Sequence, residues 1–202
     1  RLAGDTGDSS MAGMSMDASM SMPQAGDWTA ADFGLTFAMW AVMMTAMMTP
    51  SAAPMVLTFA AVNRGRRAQS SGYVPTAVFV AGYLVVWGSF GVLAALTQWG
   101  FQRASLLSDE LATTSSVLGG ALLIAAGVYQ WSPLKRACLV ACRTPLSFVM
   151  TQWRDGPRGA VVMGARHGLY CLGCCWALMA LLFVGGVMNL LWVAAIAGFV
   201  LI

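Results

Sequence analysis

All five cysteines and the only histidine of this 202-residue chain fall within 38 consecutive positions: Cys138, Cys142, His167, Cys171, Cys174 and Cys175. Residues three and four apart share a helix face. His167, Cys171 and then Cys174 or Cys175 therefore stack along one side of a helix, starting at its cytoplasmic end, and Cys138 and Cys142 form a second pair in the segment before it. Thiolate and imidazole donors together suit zinc or copper(I). Any single cysteine of this kind is equally at home as a small apolar side chain in a core. The gathering of all five around the sole histidine points instead to a metal site.

Fifteen methionines are the second source of soft donors. Met11, Met14, Met16, Met20 and Met22 punctuate a polar tail over residues 1–32, where no core exists for them to fill. Met39, Met43 and Met47 share a face of the first apolar stretch, with Met44 and Met48 beside them. Spaced thioethers suit a soft monovalent metal, although within a bilayer methionine is also an adaptable packing residue. The candidate metal ligands are His167, Cys171, Cys174, Cys175, Cys138, Cys142, Met43 and Met47, with Thr49 and Asn189 as possible polar donors near Met179 and Met188. Glycine-rich phosphate loops, serine nucleophile motifs and paired carboxylates are absent from the sequence, so hydrolysis is excluded and no catalytic residue is assigned.

The elements that must position these donors follow from composition. The chain is 58% hydrophobic and 9% charged, with a mean hydropathy of +0.71, whereas soluble domains carry roughly 25% charged residues. A soluble enzyme domain is excluded. A net charge of +3 without clustered basic residues gives no case for nucleic acid. The expected fold is all-α, an integral membrane bundle of about five transmembrane helices in the bilayer, over residues 33–62, 74–99, 111–131, 160–184 and 187–202. The first carries Pro50 and Pro54 and is expected to be bent or broken. Gly185 and Gly186 leave room only for a tight hairpin between the last two spans. Glycines 82, 88 and 91 in the second span, and 119, 120 and 127 in the third, permit close helix contact.

Basic residues set an expected orientation. Nine of them (Arg64, Arg66, Arg67, Lys135, Arg136, Arg143, Arg154, Arg158 and Arg166) fall on one side of this arrangement, and Arg1 and Arg103 on the other. The N-terminus is then outside, in a bacterial inner membrane. Residues 132–159 mix basic and apolar side chains, which suits a helix on the inner membrane surface, interrupted near Pro145. The chain opens with Arg1 and is read as part of a longer polypeptide. Its first 27 residues lack the apolar core of a signal peptide.

Three stretches carry a family resemblance: MWAVMMTAMMTPSAAPMVL (Met39 to Leu57), SPLKRACLVACRTPL (Ser132 to Leu146) and MGARHGLYCLGCCWALMALLFVGGVMNLLWV (Met163 to Val193). Over residues 33–202 the chain resembles the bacterial predicted metal-binding integral membrane proteins, a domain of unknown function. The resemblance implies an integral membrane protein with a metal site. It places the family motifs on Met43, Met44, Met47, Met48, Pro50, Pro54, Cys138, Cys142, His167, Cys171, Cys174, Cys175, Met179, Met188 and Asn189. It supplies no activity.

Three functions compete on these residues. The first is binding of a soft transition metal, copper(I) before zinc, for transport, handover or homeostasis, with a metal-donor protein as partner. The second is an accessory subunit of a larger membrane complex, favoured by the shortage of ionisable residues inside the spans. The third is a quinone-linked thiol-disulfide oxidoreductase, suggested by the C-x-x-C spacing of Cys171 and Cys174 but opposed by an orientation that faces both cysteine pairs toward the reducing side.

Overall fold

A computed structural model of the chain describes residues 28–68, 73–108 and 111–201. Among these, regular structure is helical apart from one isolated bridge between Leu107 and Thr113. The methionine-rich run before residue 28 lies outside the described residues. The helices are α1 (Ala30–Ala68), α2 (Thr76–Arg103), α3 (Ser116–Gln130), α4 (Pro133–Arg143), α5 (Pro145–Gln152), α6 (Gly156–Ala180), α7 (Leu182–Gly185) and α8 (Leu190–Leu201).

Among the described residues, three stretches, not five, are long and apolar enough to cross a membrane: Ala30–Arg67, Thr76–Arg103 and Gly156–Gly185. The expected third span is shortened at both ends. Residues before Ser116 form a hydrogen-bonded loop in which Leu111 takes a positive φ of 58° and Ser108 and Ala112 pair across it. Ser115 caps α3 by accepting from the Leu118 N–H at 3.3 Å. At the other end Ser132 caps a new helix beginning at Pro133, bent 64° from the first. Counted as one broken span, this bent pair raises the number to four. The expected fifth span appears as α8, an apolar helix of 12 residues that runs to the last described residue.

The first span does not break: α1 runs as one helix of 39 residues through both prolines. Each proline removes one backbone donor, the one that would reach the carbonyl four residues back, Ala46 or Pro50. The nearby hydroxyls bond other carbonyls of the same helix, Thr49 to Thr45 at 2.5 Å, Ser51 to Met48 at 2.9 Å and Thr58 to Pro54 at 2.8 Å. α1 begins at Ala30, three residues ahead of the expected start of the first span.

α2 and α6 make the most extensive helix contact. At their crossing a Cβ added to Gly82 would overlap the Val161 carbonyl, and one added to Gly164 would overlap the Phe79 carbonyl. Gly168 lies close to Val86 and the Tyr83 carbonyl. The absence of side chains here lets two backbones touch. Gly88, expected among the contact glycines, faces open space. α1 joins α2 through a buried hydrogen bond from Trp40 Nε1 to Gln98 Oε1 at 2.8 Å. At the far end of the same pair, buried Asn63 bonds both the N–H and the carbonyl of Val74.

α3, α4 and α5 together retrace α6 in reverse. The Thr113 N–H bonds the Phe183 carbonyl at 2.8 Å, the Tyr129 hydroxyl bonds the Gly173 carbonyl, Phe148 packs on His167 and the Arg154 N–H meets Met163 Sδ at 3.3 Å. The break expected near Pro145 is present, with Thr144 ending α4 and opening α5. The α7–α8 hairpin also forms. Gly186 turns at a φ of 86°, and Trp192 Nε1 returns to the Leu181 carbonyl at 2.9 Å.

Candidate metal centre

The proline stretch of α1, the α4–α5 junction and the middle of α6 enclose a cavity of about 260 Å³ lined by Pro50, Ser51, Pro54, Cys142, Cys171 and Cys174, among others. Cys142 of α4 shares its wall with Cys171 and Cys174 of α6. A second cavity of about 190 Å³ shares Cys174 and Arg143 with the first and adds Cys175 and Lys135. The pairing expected from spacing is therefore realised, as α4 and α6 turn their cysteines toward one another. All five thiols are free.

Its depth differs from expectation. α6 begins at Gly156, so His167 lies eleven residues in, roughly 16 Å along a helix rising ~1.5 Å per residue. The cluster occupies the middle of α6 rather than its mouth. α4 rests against that middle, since a Cβ added at Gly173 would sit 2.7 Å from Cys138 Sγ. Cys138 is half-buried and lies beside the cavity rather than on its wall.

The methionine nearest the thiols was not a primary candidate. Cys175 Sγ lies 3.9 Å from Met48 Sδ. Met48 and Met44 are fully buried in the same core as Cys171 and Cys175, Met47 is buried there too, and Met43 only packs against its edge. The sequence signal was present in the Met47–Met48 and Met43–Met44 pairs, but helical period alone does not fix which member turns inward. Met179 is buried in this core as well, whereas Met188 is exposed. Neither polar donor joins the site. Thr49 bonds its own helix, and exposed Asn189 caps α8 by accepting from the Trp192 N–H at 3.2 Å.

Tyr83 of α2 is a neighbour that the residue pattern did not single out. Its hydroxyl lies 3.5 Å from Cys171 Sγ and 3.4 Å from the Met48 carbonyl, tying α1, α2 and α6 together at the thiols. A lone tyrosine in an apolar helix carries no spacing signal that would have marked it. His167 sits one turn before Cys171. Its ring stacks on Phe79 and Tyr83, with centroids at 6.3 and 5.7 Å, and Phe148 approaches edge-on at 5.8 Å. Neither His167 nitrogen has a hydrogen-bond partner.

The thiols are not arranged as a finished coordination shell. Among the described residues no group of three or more His, Cys, Asp or Glu side chains is placed to hold a metal ion. Cys174 and Cys175 instead donate to the Cys171 carbonyl at 3.0 and 2.9 Å. Both side chains already border a cavity from these positions, Cys174 the larger and the smaller one and Cys175 the smaller. The donor chemistry fits a soft cation, with thiols, a thioether and an unpartnered imidazole in a water-poor core.

The sequence model of PpoB2, described as a copper chaperone, matches residues 37–202. The chain belongs to the PpoB2 copper chaperone family. Every candidate ligand of the centre lies within the matched PpoB2 region, and the methionine-rich run before residue 28 lies outside it. Of the two metals expected from the donor types, the description of PpoB2 names copper alone. Neither the curated proteins nor the solved structures hold a match to this chain.

Proposed function

We propose that this protein is a membrane-embedded copper(I) carrier. It takes the ion at a thiolate–thioether centre made by Cys142, Cys171, Cys174, Cys175 and Met48, and passes it to a partner protein. The observation that carries this reading is the convergence of Cys142 of α4 with Cys171 and Cys174 of α6 on one cavity, with Cys175 beside them against the buried thioether of Met48, in a chain of a copper chaperone family. Copper(I) is soft and accepts low coordination numbers, so two thiolates with a thioether nearby satisfy it. Cys138 and His167 stand one step to either side as further donors.

A bilayer is the proposed surrounding. Three stretches have the length and composition to cross it, and large apolar side chains such as Val42, Leu57, Val85, Leu93, Ile124 and Val128 face outward from the helices. Exposed apolar surface on this scale marks contact with lipid or protein rather than water. With the bent α3–α4 pair counted as a broken fourth span, the basic residues outside the spans gather on one side away from Arg1 and Arg103, which supports an N-terminus outside, in a bacterial inner membrane. The methionine-rich run would then collect copper on the outer side.

Anaerobic titration of the purified protein with copper(I), against a chromophoric chelator of known affinity, tests the centre. The native protein is expected to hold copper that the Cys171→Ser, Cys174→Ser double variant loses, while circular dichroism of both stays the same. Unchanged bound copper in the double variant would overturn the reading.

A further inference from the structure

One ridge of α6 carries a soft donor at every fourth position: Met163, His167, Cys171, Cys175 and Met179. All five are buried, none more than 2% exposed. A step of four residues turns a helix ~40° further round, so this ridge winds about the axis and would ordinarily pass from core to surface. It stays covered because its neighbours change along the way. Met163 packs with Met55 and Phe79, while Cys171, Cys175 and Met179 pack with Met44 and Met48. From Met163 to Met179 the ridge advances ~24 Å at ~1.5 Å per residue, most of a hydrocarbon core about 30 Å thick.

The interior of the bundle divides into two apolar clusters, and His167 stands between them. Its ring touches Phe79 and Phe148 of the cluster that holds Met55 and Met163, and Tyr83 of the cluster that holds the thiols. Both nitrogens are without partners. A phenylalanine would fill the same aromatic pocket without leaving two buried polar atoms unsatisfied, so packing does not account for a histidine here.

Resting on the copper(I) reading above, we infer that this ridge is a relay along which copper(I) crosses the bundle, with His167 as the ligand linking the thiol centre to a thioether stop at Met55 and Met163. The ion moves by ligand exchange, each incoming sulfur or nitrogen replacing an outgoing one. No electron is transferred. The copper(I) charge is balanced by ions moving through the surrounding medium.

The test uses the full chain in sealed vesicles, with a copper(I)-specific chromophoric chelator trapped inside, copper(I) supplied outside under anaerobic conditions, and a potassium ionophore to collapse any potential. The wild-type protein should deliver copper at least tenfold faster than the Cys171→Ser, Cys174→Ser protein. His167→Phe should lose at least tenfold of that rate while equilibrium binding at the thiol centre, titrated in detergent, falls by a much smaller factor. The volume-conserving pair Met163→Leu and Met179→Leu should also slow delivery without lowering binding. Wild-type delivery no faster than the double-serine protein, or full-rate delivery by both the His167→Phe and the double-leucine proteins, overturns the relay. Loss of binding by the wild-type protein itself would instead overturn the copper(I) centre, so the two failures are distinguishable.

Discussion

Placing alanine at Gly164 tests whether the α2–α6 seam sets the geometry of the centre. Its Cβ would overlap the Phe79 carbonyl, a backbone atom that cannot swing aside as a side-chain end can. Separating the helices would loosen the Phe79 and Tyr83 contacts with His167 and the approach of the Tyr83 hydroxyl to Cys171. Alanine for glycine within a helix contributes roughly 0.5–1 kcal/mol in its favour, whereas overpacking a filled contact costs roughly 1–3 kcal/mol. The net for Gly164→Ala is a loss of up to about 2 kcal/mol on these figures. Gly88 supplies the control, because an added Cβ there meets nothing within 4 Å. Gly88→Ala keeps the propensity gain alone, so the two variants should differ by about 2 kcal/mol, or roughly 4–8 °C in Tm for a chain of this size. Thermal unfolding in detergent micelles gives the comparison, and copper(I) competition gives its consequence at the site. If Gly164→Ala melts with or above Gly88→Ala, the backbone contact does not limit the approach of these helices and the reasoning fails.

Three further outcomes follow from individual contacts. Gln98→Leu strands the buried Trp40 N–H and should cost roughly 1–3 kcal/mol; adding Trp40→Phe should recover part of the loss, and equal melting of the single and double variants would contradict this. Tyr83→Phe leaves the Met48 carbonyl still served by Ser51, so stability should fall by no more than about 1 kcal/mol while copper(I) affinity weakens by about two- to tenfold, as read by chelator competition. Copper capture by two thiols releases two protons, so while both thiols are protonated in the free protein its affinity should rise ~100-fold per pH unit; a flat profile between pH 5 and 7 would point away from thiolate ligands.

The cysteine–histidine grouping, the α7–α8 hairpin and the break near Pro145 could be read from the sequence because each rests on residues close together in the chain. The third span could not. Its hydropathy runs on from Leu111 to Trp131, and what truncates it is a loop held by the Phe183 carbonyl 70 residues away and a cap at Ser132 that starts α4 in a new direction. α4 then lies against the middle of α6, and because α6 starts at Gly156, ahead of the expected span, its cysteines are mid-helix. Choosing Met48 over Met47 has the same origin, since only the position of Cys175 decides which thioether meets a thiol. The prolines are a separate case: on sequence alone they predict a bend or a break, and α1 continues through both as one helix.

The bend between α3 and α4 also bears on charge. By turning α4 onto α6 it brings Lys135 and Arg143 to the wall of the cavity that holds Cys174 and Cys175. One copper(I) held by two thiolates carries a net charge of about −1, and an unbalanced anion is costly away from water. Two cations, Lys135 and Arg143, stand on that wall against the single negative charge, so the loaded bundle would hold no naked anion in its interior.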